Sequence, residues 1–513
     1  MPDEIELKLE APAEAASRLF DRSWLRALAS GPAKHERLRS VYFDTRKFAL
    51  RDHDVALRIR HVGKKRLRTI KANNPRGPFG RREWEEEISA DEPDKRCAKL
   101  LKKLGLKITK SRLIPVFETD VQRTVLPIRC DGSAMEIAVD HGAIKTGARR
   151  EPISEIEIEL KEGAAAGVVD VAKRITEDLP VGYGAKPKSA RGYALSAGEN
   201  GQPVFAADIV LAPDLSAGAA FKVIGFSCLQ HLAGNRDAVG REDAEGIHQM
   251  RVGLRRLRAA MSIFKSVIDG PECQKVKREL KWLMGELDAA RDLDVLIKGG
   301  LGPLHNSRQG KADIALLEGE LKEKREKEFT RAKIAAESSR YRKAILDTAL
   351  WIADGDWSRT TDPLMTARRD REAADFAAEE LSRRVKKIAK RVKRLDDLRL
   401  RQQHKLRIAI KKMRYACQFF ASLFDGGKAV KARARLERRL KTLQSALGRL
   451  NDIRVHERLA GEYAKPKRRV KKKPQKAFAM GLLAGKDEGN VASLMAQARD
   501  AGKRFAKQSP FWT

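Results

Sequence analysis

The sequence predicts an α+β protein of two domains, with a strand-rich N-terminal domain and an all-α C-terminal domain formed by a duplicated helical bundle. Apolar and charged residues alternate with a period of two through much of residues 1–195, as in "EIELKLE" at 4–10. This period is typical of a strand. From about residue 218 the apolar period becomes helical. The helical part also repeats itself, because "HQMRVGLRRLRAAMSIF" at 248–264 aligns without a gap with "HKLRIAIKKMRYACQFF" at 404–420.

The length and charge of the chain indicate several folded domains and a polyanionic partner. Its 513 residues exceed what one ordinary core organises, and 42% hydrophobic residues support folded domains. The formal net charge is +36, from 106 Lys and Arg against 70 Asp and Glu, and most of the excess lies after residue 200. Such an excess favours nucleic acid, a membrane surface or polyphosphate as the partner, bound mainly by the C-terminal domain.

The cysteines and the apolar runs point to the cytoplasm. The five cysteines are scattered and lack metal-ligand spacing, which suits a reducing compartment without a disulfide framework or a zinc site. The first residues are charged, unlike a secretory signal. No uninterrupted apolar run reaches the roughly 18 residues of a spanning helix. We therefore expect a cytoplasmic protein without a membrane partner, whose oligomeric state stays open.

The elements of the N-terminal domain follow from strand and helix periods. After the first strand, alternating or β-rich segments predict strands at "SVYFDT" (40–45), "VALRIR" (55–60), "RLRTIKA" (66–72), "REWEEEI" (82–88), "FETDVQRTVLPI" (117–128), "MEIAVDHG" (135–142) and "ISEIEIELK" (153–161). Helices are predicted near 12–30, at 94–104 and at 164–179.

Turn-rich segments mark the domain boundaries. "SAGENGQP" at 196–203 and "APDLSAGAA" at 212–220 interrupt both periods, and "KPKRRVKKKPQK" at 465–476 is a basic, Pro-flanked stretch. The predicted divisions are a strand-rich domain at 1–196, a linker at 197–217, a helical domain at 218–460 with repeats at about 218–297 and 370–460, and a basic arm with a terminal helix at 461–513.

Each strand of the N-terminal domain carries its charges on one face. For any single strand, a face turned to water is the preferred interpretation. Taken together, however, the acidic faces fall on the first and last strands, whereas the middle strands supply paired arginines and a lysine. Carboxylates suit Mg²⁺ or Mn²⁺, and Arg and Lys suit phosphate oxygens. An inward-facing set of this kind therefore predicts phosphoryl transfer.

The motifs on these strands resemble a known family. "EIELK" has the form E-x-E-x-K, and "LRIR", "TIK", "REWE", "EIAVD", "EIEIEL" and "KPKSARGY" follow in order across 1–195. This series resembles the CYTH superfamily, the triphosphate tunnel metalloenzymes. The resemblance implies an eight-stranded antiparallel tunnel with flanking helices, with the charged faces inward and a bound Mg²⁺ or Mn²⁺.

The resemblance also implies roles for individual residues. Phosphate oxygens would be bound by Lys8, Arg58, Arg60, Lys71, Arg123, Lys188 and Arg191, and the metal by Glu4, Glu6, Asp140, Glu157 and Glu159. Glu83, Glu85 and Glu136 would orient the basic side chains, and catalysis is expected of Glu4, Glu6, Lys8, Arg58, Arg60 and Lys71. Lys186 stays an alternative to Lys188, because Pro187 lies between them.

The resemblance indicates a triphosphate as the bound group more closely than it indicates which reaction is catalysed. The family includes inorganic triphosphatases, thiamine triphosphatases and class IV adenylyl cyclases. The fusion to a helical domain favours an inorganic triphosphatase that hydrolyses tripolyphosphate to pyrophosphate and phosphate. An adenylyl cyclase and a non-catalytic scaffold at polyphosphate granules are the alternatives.

Two matched stripes of cations mark the helical domain. His248, Arg251, Arg255 and Arg258 have the spacing i, i+3, i+7 and i+10, and His404, Arg407, Lys411 and Arg414 repeat it. Such residues share one helix face. A single basic stripe is usually a solvated surface, but two matched stripes favour one groove for a linear polyanion.

This duplicated pattern, over about 218–460, resembles the CHAD domain, a helical module that binds inorganic polyphosphate. The stripes contain few aromatic residues, on which single-stranded nucleic acids would stack. Long-chain polyphosphate is therefore the expected partner, and nucleic acid the less favoured one.

Overall fold

A computed structural model describes residues 4–73, 80–109, 112–301, 311–464, 491–507 and 509–512 of the chain. The predicted basic arm at 465–476 lies outside the described residues. The side chain of Glu4 also lies outside the description, although its backbone belongs to a strand.

The described part of the N-terminal half contains one antiparallel sheet. Its strands are β1 (Glu4–Glu10), β2 (Lys34–Asp44), β3 (Val55–Val62), β4 (Lys65–Asn73), β5 (Gly80–Ile88), β6 (Ile114–Cys130), β7 (Ser133–Thr146), β8 (Arg149–Glu162) and β9 (Gly182–Tyr183). They are ordered β5-β4-β3-β2-β6-β7-β8-β1-β9. A further pairing of β1 with β5 closes β1 to β8 into a tunnel.

The sheet confirms the predicted fold class, with nine strands rather than eight. The additional strand β9 is only two residues long, and it pairs with the C-terminal end of β1 at Leu9 and Glu10. β5 pairs with the other end of β1, at Glu4 and Ile5. β5 and β9 therefore share the edge of β1 that faces away from β8.

The pleat of β1 and β8 explains which face points into the tunnel. Leu7, Leu9, Ile156 and Ile158 are fully buried in an apolar cluster outside the sheet. Because side chains alternate between the two faces of a strand, the charged positions of both strands must point inward. The water-facing interpretation of these two strands is therefore wrong.

Short helices flank the tunnel. They are α1 (Ala13–Ser17), α2 (Ser23–Leu28), α3 (Lys95–Lys103), α4 (Ala165–Asp178) and α5 (Lys188–Ala197). The segment near 12–30 is thus two helices separated by a 3-10 turn at Leu19–Asp21. α3 begins after Asp94, whose carboxylate accepts a hydrogen bond from the backbone N–H of Cys97 at 2.8 Å, an ordinary helix cap.

The C-terminal half is all helical in its described residues. Its helices are α6 (Ala217–Ala233), α7 (Arg236–Gly240), α8 (Ala244–Ile263), α9 (Lys265–Ile268), α10 (Pro271–Val295), α11 (Lys311–Glu337), α12 (Ser339–Asp354), α13 (Asp356–Arg359), α14 (Pro363–Asp370), α15 (Ala373–Val392), α16 (Leu400–Phe419) and α17 (Gly427–Ala464). Residues 491–506 are also helical. Among the helices described, each is too short or too polar to cross a bilayer.

The two sequence repeats pack against each other. α8 carries the first stripe and packs on α6 and α10, whereas α16 carries the second stripe and packs on α15 and α17. The matched residues Phe264 and Phe420 meet with ring centroids 5.8 Å apart, and Phe264 also stacks on Phe376 at 4.7 Å. The duplicated helices thus share one aromatic core between them.

The predicted linker packs against the helical domain. Ile209, Leu211 and Leu215 are buried, and the backbone N–H of Leu211 donates to the Ser422 hydroxyl at 2.8 Å. The apolar cluster that contains Leu7 of the tunnel runs without a break into the helical domain. The two halves therefore share one continuous core.

Candidate functional site

One wall of the tunnel combines carboxylates and cations from four neighbouring strands. Lys8 of β1 lies opposite Glu157 of β8, Glu155 of β8 lies opposite Asp140 of β7, and Asp140 lies opposite Arg123 of β6. Residues paired directly across antiparallel strands have their side chains on the same face. The register therefore brings the predicted residues Lys8, Arg123, Asp140 and Glu157 together inside the tunnel.

Glu157 is the point where three cations converge. Its carboxylate accepts hydrogen bonds from the Lys8 ammonium and the Arg123 guanidinium, and from the Lys188 Nζ atom at 2.8 Å. Lys188 also lies 2.6 Å from Asp140 and bonds Glu155. The Glu157 side chain is only 7% exposed, so these charges interact in a weakly screening environment.

The pKa values reflect this pairing. Burial alone would raise the pKa of Glu157, but Lys188, Lys8 and Arg123 hold it well below its usual range. Burial alone would lower the pKa of Lys188, but Glu157, Glu155 and Asp140 raise it. For Glu155, burial outweighs the nearby lysines, and its pKa is raised. Lys188 is therefore fixed as a cation, and Glu157 as an anion.

The opposite wall is formed by β3, β4 and β5. Lys71 lies 3.0 Å from Glu83, and Arg58 lies 3.8 Å from the same carboxylate. Glu83 thus contacts two cations that it was predicted to orient. Glu85 instead accepts a hydrogen bond from the Thr69 hydroxyl at 2.8 Å.

Two arginines are crowded on β3. Arg60 donates to the Ser40 hydroxyl at 3.4 Å, and burial together with Arg58 and Arg123 lowers the pKa of Arg60. Burial alone would raise the pKa of Tyr42, but Arg58 and Arg60 lower it. The Arg58 Nε atom is buried without a hydrogen-bond partner among the described residues. An anion between these arginines would relieve their mutual repulsion.

A row of carboxylates crosses three strands at a more exposed level of the tunnel. Glu6 of β1 lies opposite Glu159 of β8, which lies opposite Glu136 of β7. The Lys161 ammonium lies 2.7 Å from Glu159 and 3.0 Å from Glu136, and Glu6 accepts a hydrogen bond from Lys8 at 2.7 Å. The predicted metal ligands Glu6 and Glu159 are therefore side by side.

The first turn of α5 supplies the remaining cations. Arg191 donates to Glu151 at 2.6 Å and lies 3.5 Å from Glu155. Lys186 bonds Asp237 of α7 at 2.9 Å and so points to the helical domain. Of the two alternative lysines, it is Lys188 that reaches the carboxylates of the tunnel.

The carboxylates of the tunnel suit a divalent metal. Asp140, Glu155 and Glu157 place carboxylate oxygens within 4.8 Å of one another, and hard oxygen donors are the ligands that Mg²⁺ and Mn²⁺ prefer. Glu155 is absent from the predicted ligand set. The signal for it was its strand phase, which it shares with Glu157 and Glu159.

A second charged site lies between the two stripe helices. A cleft of about 490 Å³ is lined by His248 and Arg255 of α8, by Lys411 and Arg414 of α16, and by residues 206–209 of the predicted linker. Its other lining residues are Val252, Arg256, Tyr415, Gln418 and Gln444. The structure thus brings members of both predicted stripes to one cleft.

The other stripe residues lie outside this lining. Arg251 is buried against α10, where it lies 2.7 Å from Asp288 and 3.6 Å from Asp292. Arg258 and His404 are exposed, and Arg407 is half-buried.

The cleft cations have spare hydrogen-bonding capacity. The Nε atoms of Arg255 and Arg256 are buried without a hydrogen-bond partner among the described residues. Arg414 donates to Gln444 at 2.9 Å. Burial, with Arg291 nearby, lowers the pKa of His248. Arg256, which the stripe spacing missed, lies next to the stripe in sequence and stacks over Phe419 at 5.8 Å.

Known proteins match both halves of the chain. Residues 2–193 match the CYTH domain, and residues 224–461 match the CHAD domain. The chain is 30% identical to an inorganic triphosphatase of Haemophilus influenzae over 161 residues, which are 31% of this chain and 46% of that protein. The chain therefore spans about half the length of this relative.

A solved structure matches the helical half. The crystal structure of the CHAD domain from the plant Ricinus communis aligns with a TM-score of 0.50 and 30% identity. The alignment covers 59% of this chain and 96% of the plant domain.

Proposed function

Because the chain belongs to the CHAD family and carries a CYTH domain before its CHAD domain, we propose that it is a metal-dependent inorganic triphosphatase. Its tunnel hydrolyses tripolyphosphate to pyrophosphate and phosphate, and its helical domain binds long-chain polyphosphate. The convergence of Lys8, Arg123 and Lys188 on Glu157 inside a closed tunnel carries this proposal.

The tunnel residues bind the substrate by exchanging partners. Lys8, Arg123 and Lys188 already have their pKa values raised by carboxylates, so they remain charged when phosphate oxygens replace those carboxylates. Arg58 and Arg60 approach from the opposite wall, where their crowding favours an incoming anion. Cations on both walls thus grip the triphosphate and neutralise the charge that phosphoryl transfer moves.

The carboxylates released by this exchange would hold the metal ion. Asp140, Glu155 and Glu157 form one group, and Glu6 and Glu159 form the other. When bound, Mg²⁺ or Mn²⁺ neutralises phosphate charge and lowers the pKa of an attacking water. Glu83 orients Lys71 and Arg58 from the opposite wall.

The helical domain binds polyphosphate through its cleft. His248, Arg255, Arg256, Lys411 and Arg414 line a groove that has no carboxylate except Asp208 among its lining residues. A chain of phosphates with a negative charge at every unit complements such a surface. Tethering would raise the local concentration of polyphosphate near the tunnel.

Phosphate release from tripolyphosphate tests the proposal. The full chain is assayed with Mg²⁺, with Mn²⁺ and with excess EDTA, alongside Arg58→Ala and the matched control Arg37→Ala. Arg37 lies on the outer face of the neighbouring strand, 74% exposed and paired with Asp120. We expect EDTA to abolish turnover and Arg58→Ala to lower kcat/KM by about 10- to 100-fold, with Arg37→Ala near the wild-type value.

A parallel incubation with ATP, analysed for cyclic AMP, separates the alternatives. An adenylyl cyclase would convert ATP to cyclic AMP and pyrophosphate, and a scaffold would release no phosphate from any substrate. Full activity in excess EDTA would contradict the metalloenzyme proposal.

A further inference from the structure

The tunnel and the helical domain meet at a small polar cavity. This cavity of about 40 Å³ is lined by residues of both domains, among them Glu10, Lys186, Arg236 and Asp237. The Arg236 Nη1 atom of α7 lies 3.1 Å from Glu10 Oε2, and Lys186 Nζ lies 2.9 Å from Asp237 Oδ2. Two adjacent residues of α7 therefore each form an ion pair with the tunnel domain.

Both ion pairs attach to the backbone that carries the tunnel lysines. Glu10 is on the same inward face of β1 as Lys8, and it lies opposite Glu155 of β8. Lys186 comes two residues before Lys188. The two segments are joined directly, because Gly184 N–H donates to the Lys8 carbonyl at 2.9 Å.

The helical domain packs closely against this junction. A Cβ atom on Gly182 would lie 3.7 Å from the Arg342 side chain of α12, and one on Gly184 would lie 2.9 Å from the Cβ atom of Lys8. The Tyr183 ring lies 6.4 Å from that of Phe226 of α6. The segment 182–184 is thus enclosed between β1 and the helical domain.

α7 itself has a fixed starting point. The preceding residue Asn235 is fully buried, and its side chain donates to the carbonyls of Val204 at 2.8 Å and of His231 at 2.7 Å. The backbone next to Arg236 is therefore fixed, and this holds Arg236 in position to pair with Glu10.

We infer that Arg236 and Asp237 are positioning residues for the triphosphate site, so that the helical domain completes the tunnel of its own chain. This inference rests on the proposed triphosphatase function. Arg236 neutralises Glu10, and Asp237 holds Lys186 away from the tunnel carboxylates. Lys8 and Lys188 are thereby left to contact phosphate.

Loss of the Arg236 charge would act on substrate binding. Glu10 would lose its ion-pair partner and be left beside Glu155 inside the domain and Asp237 across the interface. It would then repel the polyanion and attract Arg191. The Glu10 carboxylate would act on the triphosphate already in the ground-state complex, so we expect the substitution to change mainly KM.

The test compares two interdomain arginines in the full-length chain. Arg236→Gln breaks the pair with Glu10, whereas the control Arg359→Gln breaks the pair between Arg359 of α13 and Asp170 of α4 at 2.9 Å. We expect Arg236→Gln to raise the KM for tripolyphosphate about tenfold, which corresponds to one charge-assisted contact. Arg359→Gln should leave KM within about twofold, because Asp170 belongs to the flanking helix α4 and not to a strand of the tunnel.

Three further variants separate positioning from folding. Arg236→Lys should restore most of the affinity, and Asp237→Asn should raise KM in the same direction as Arg236→Gln. In the double variant Glu10→Gln/Arg236→Gln, the Arg236 substitution should raise KM no further than Glu10→Gln alone, because the carboxylate that Arg236 pairs with is gone. Thermal melting shows whether each variant is folded.

The outcomes distinguish this inference from the proposed function. Tripolyphosphate binding is also measured by calorimetry in EDTA. If the wild type binds tripolyphosphate in EDTA but does not hydrolyse it in Mg²⁺ or Mn²⁺, the triphosphatase proposal is overturned. Weaker binding by Arg236→Gln would still support positioning. Equal KM and binding constants for Arg236→Gln and Arg359→Gln would overturn the inference alone. A wild-type chain that neither binds nor hydrolyses tripolyphosphate would overturn both.

Discussion

Two glutamates on the same face of β8 illustrate how a single residue acquires its role. Glu157 is almost completely buried and contacts three cations, whereas Glu159, two residues on, is 32% exposed and pairs with Lys161. The chemical group and the strand phase are identical. Burial and the number of partners differ, and these set the energetic role of each carboxylate.

Glu157→Gln should destabilise the protein strongly at neutral pH. Removing the charge leaves three cations without their shared partner, at a cost of about 3 kcal/mol in the free energy of unfolding. For the control Glu159→Gln we expect less than about 1 kcal/mol. Urea unfolding in EDTA, followed by circular dichroism, measures both.

The pH dependence gives a second check on Glu157. The pKa of Glu157 in the folded protein is well below the usual range, whereas its pKa in the unfolded chain is about 4. The contribution of Glu157 is therefore complete above that pH and is lost as the pH falls through the lower folded value. The difference between wild type and Glu157→Gln should shrink below about pH 4. Equal losses for both variants at all pH values would contradict the role of burial.

The site residues show where prediction from sequence ends. The alternation along each strand was enough to predict that Lys8, Arg123 and Glu157 point into the tunnel. The choice between Lys186 and Lys188 depends instead on the turn at Pro187, and on a partner, Asp237, that lies in another domain. Such long-range partners leave no periodic signal in the sequence.

At the scale of elements, the stripes on α8 and α16 show the same division. Helical spacing placed His248 and Arg255 on one face, and both line the cleft. Arg251 has the same spacing but turns to Asp288 of α10. The spacing defines a face, but the neighbouring helix decides which cations remain for a ligand.

Reversing charges in the cleft should strongly weaken the binding of long polyphosphate. We expect Arg255→Glu/Arg414→Glu to weaken binding more than tenfold and to reduce its salt dependence, since fewer counterions are released. The control Arg331→Glu/Arg340→Glu changes the net charge equally. Its residues pair with Glu286 and Glu279 and lie outside the cleft lining, so binding should stay close to wild type.

Fluorescence anisotropy with labelled polyphosphate measures this binding over a salt series, and circular dichroism checks that the helices persist. Equal weakening by both double variants would indicate a diffuse charge effect and not a cleft. Competition by single-stranded DNA as effective as that by polyphosphate would favour the nucleic-acid alternative.

The strands and helices themselves were predictable to different degrees. The alternating segments of β3, β4 and β8 have a clear period and a buried apolar face. In β5, Trp84 and Ile88 are half-buried. β9 has only two residues, which are too few to show a period. Its position depends instead on its pairing with β1 and on the helical domain that packs behind it. α5 follows Pro187 directly, and no helix is predicted there from the sequence.

At the scale of the whole molecule, the two domains are less independent than composition indicates. The change of period near residue 200 predicted a boundary, and the segment there lacks regular structure over 202–212. That segment nevertheless buries Ile209 and Leu211 against the helical domain. The apolar cluster extends from the tunnel strands through α4 and α12 into the bundle. Periodicity identifies each domain, but it carries no information about such an interface.

The shared core predicts how the chain unfolds and what its fragments retain. The intact protein should melt in one main calorimetric transition, because the interface couples both domains. Fragment 1–200 lacks α7 and α12, so it should melt at a lower temperature than the intact chain and hydrolyse tripolyphosphate with a raised KM. Fragment 201–513 keeps residues 206–209 over the cleft and should bind long polyphosphate without hydrolysing it. Two separate transitions in the intact chain, each at the temperature of an isolated fragment, would show instead that the interface contributes nothing to stability.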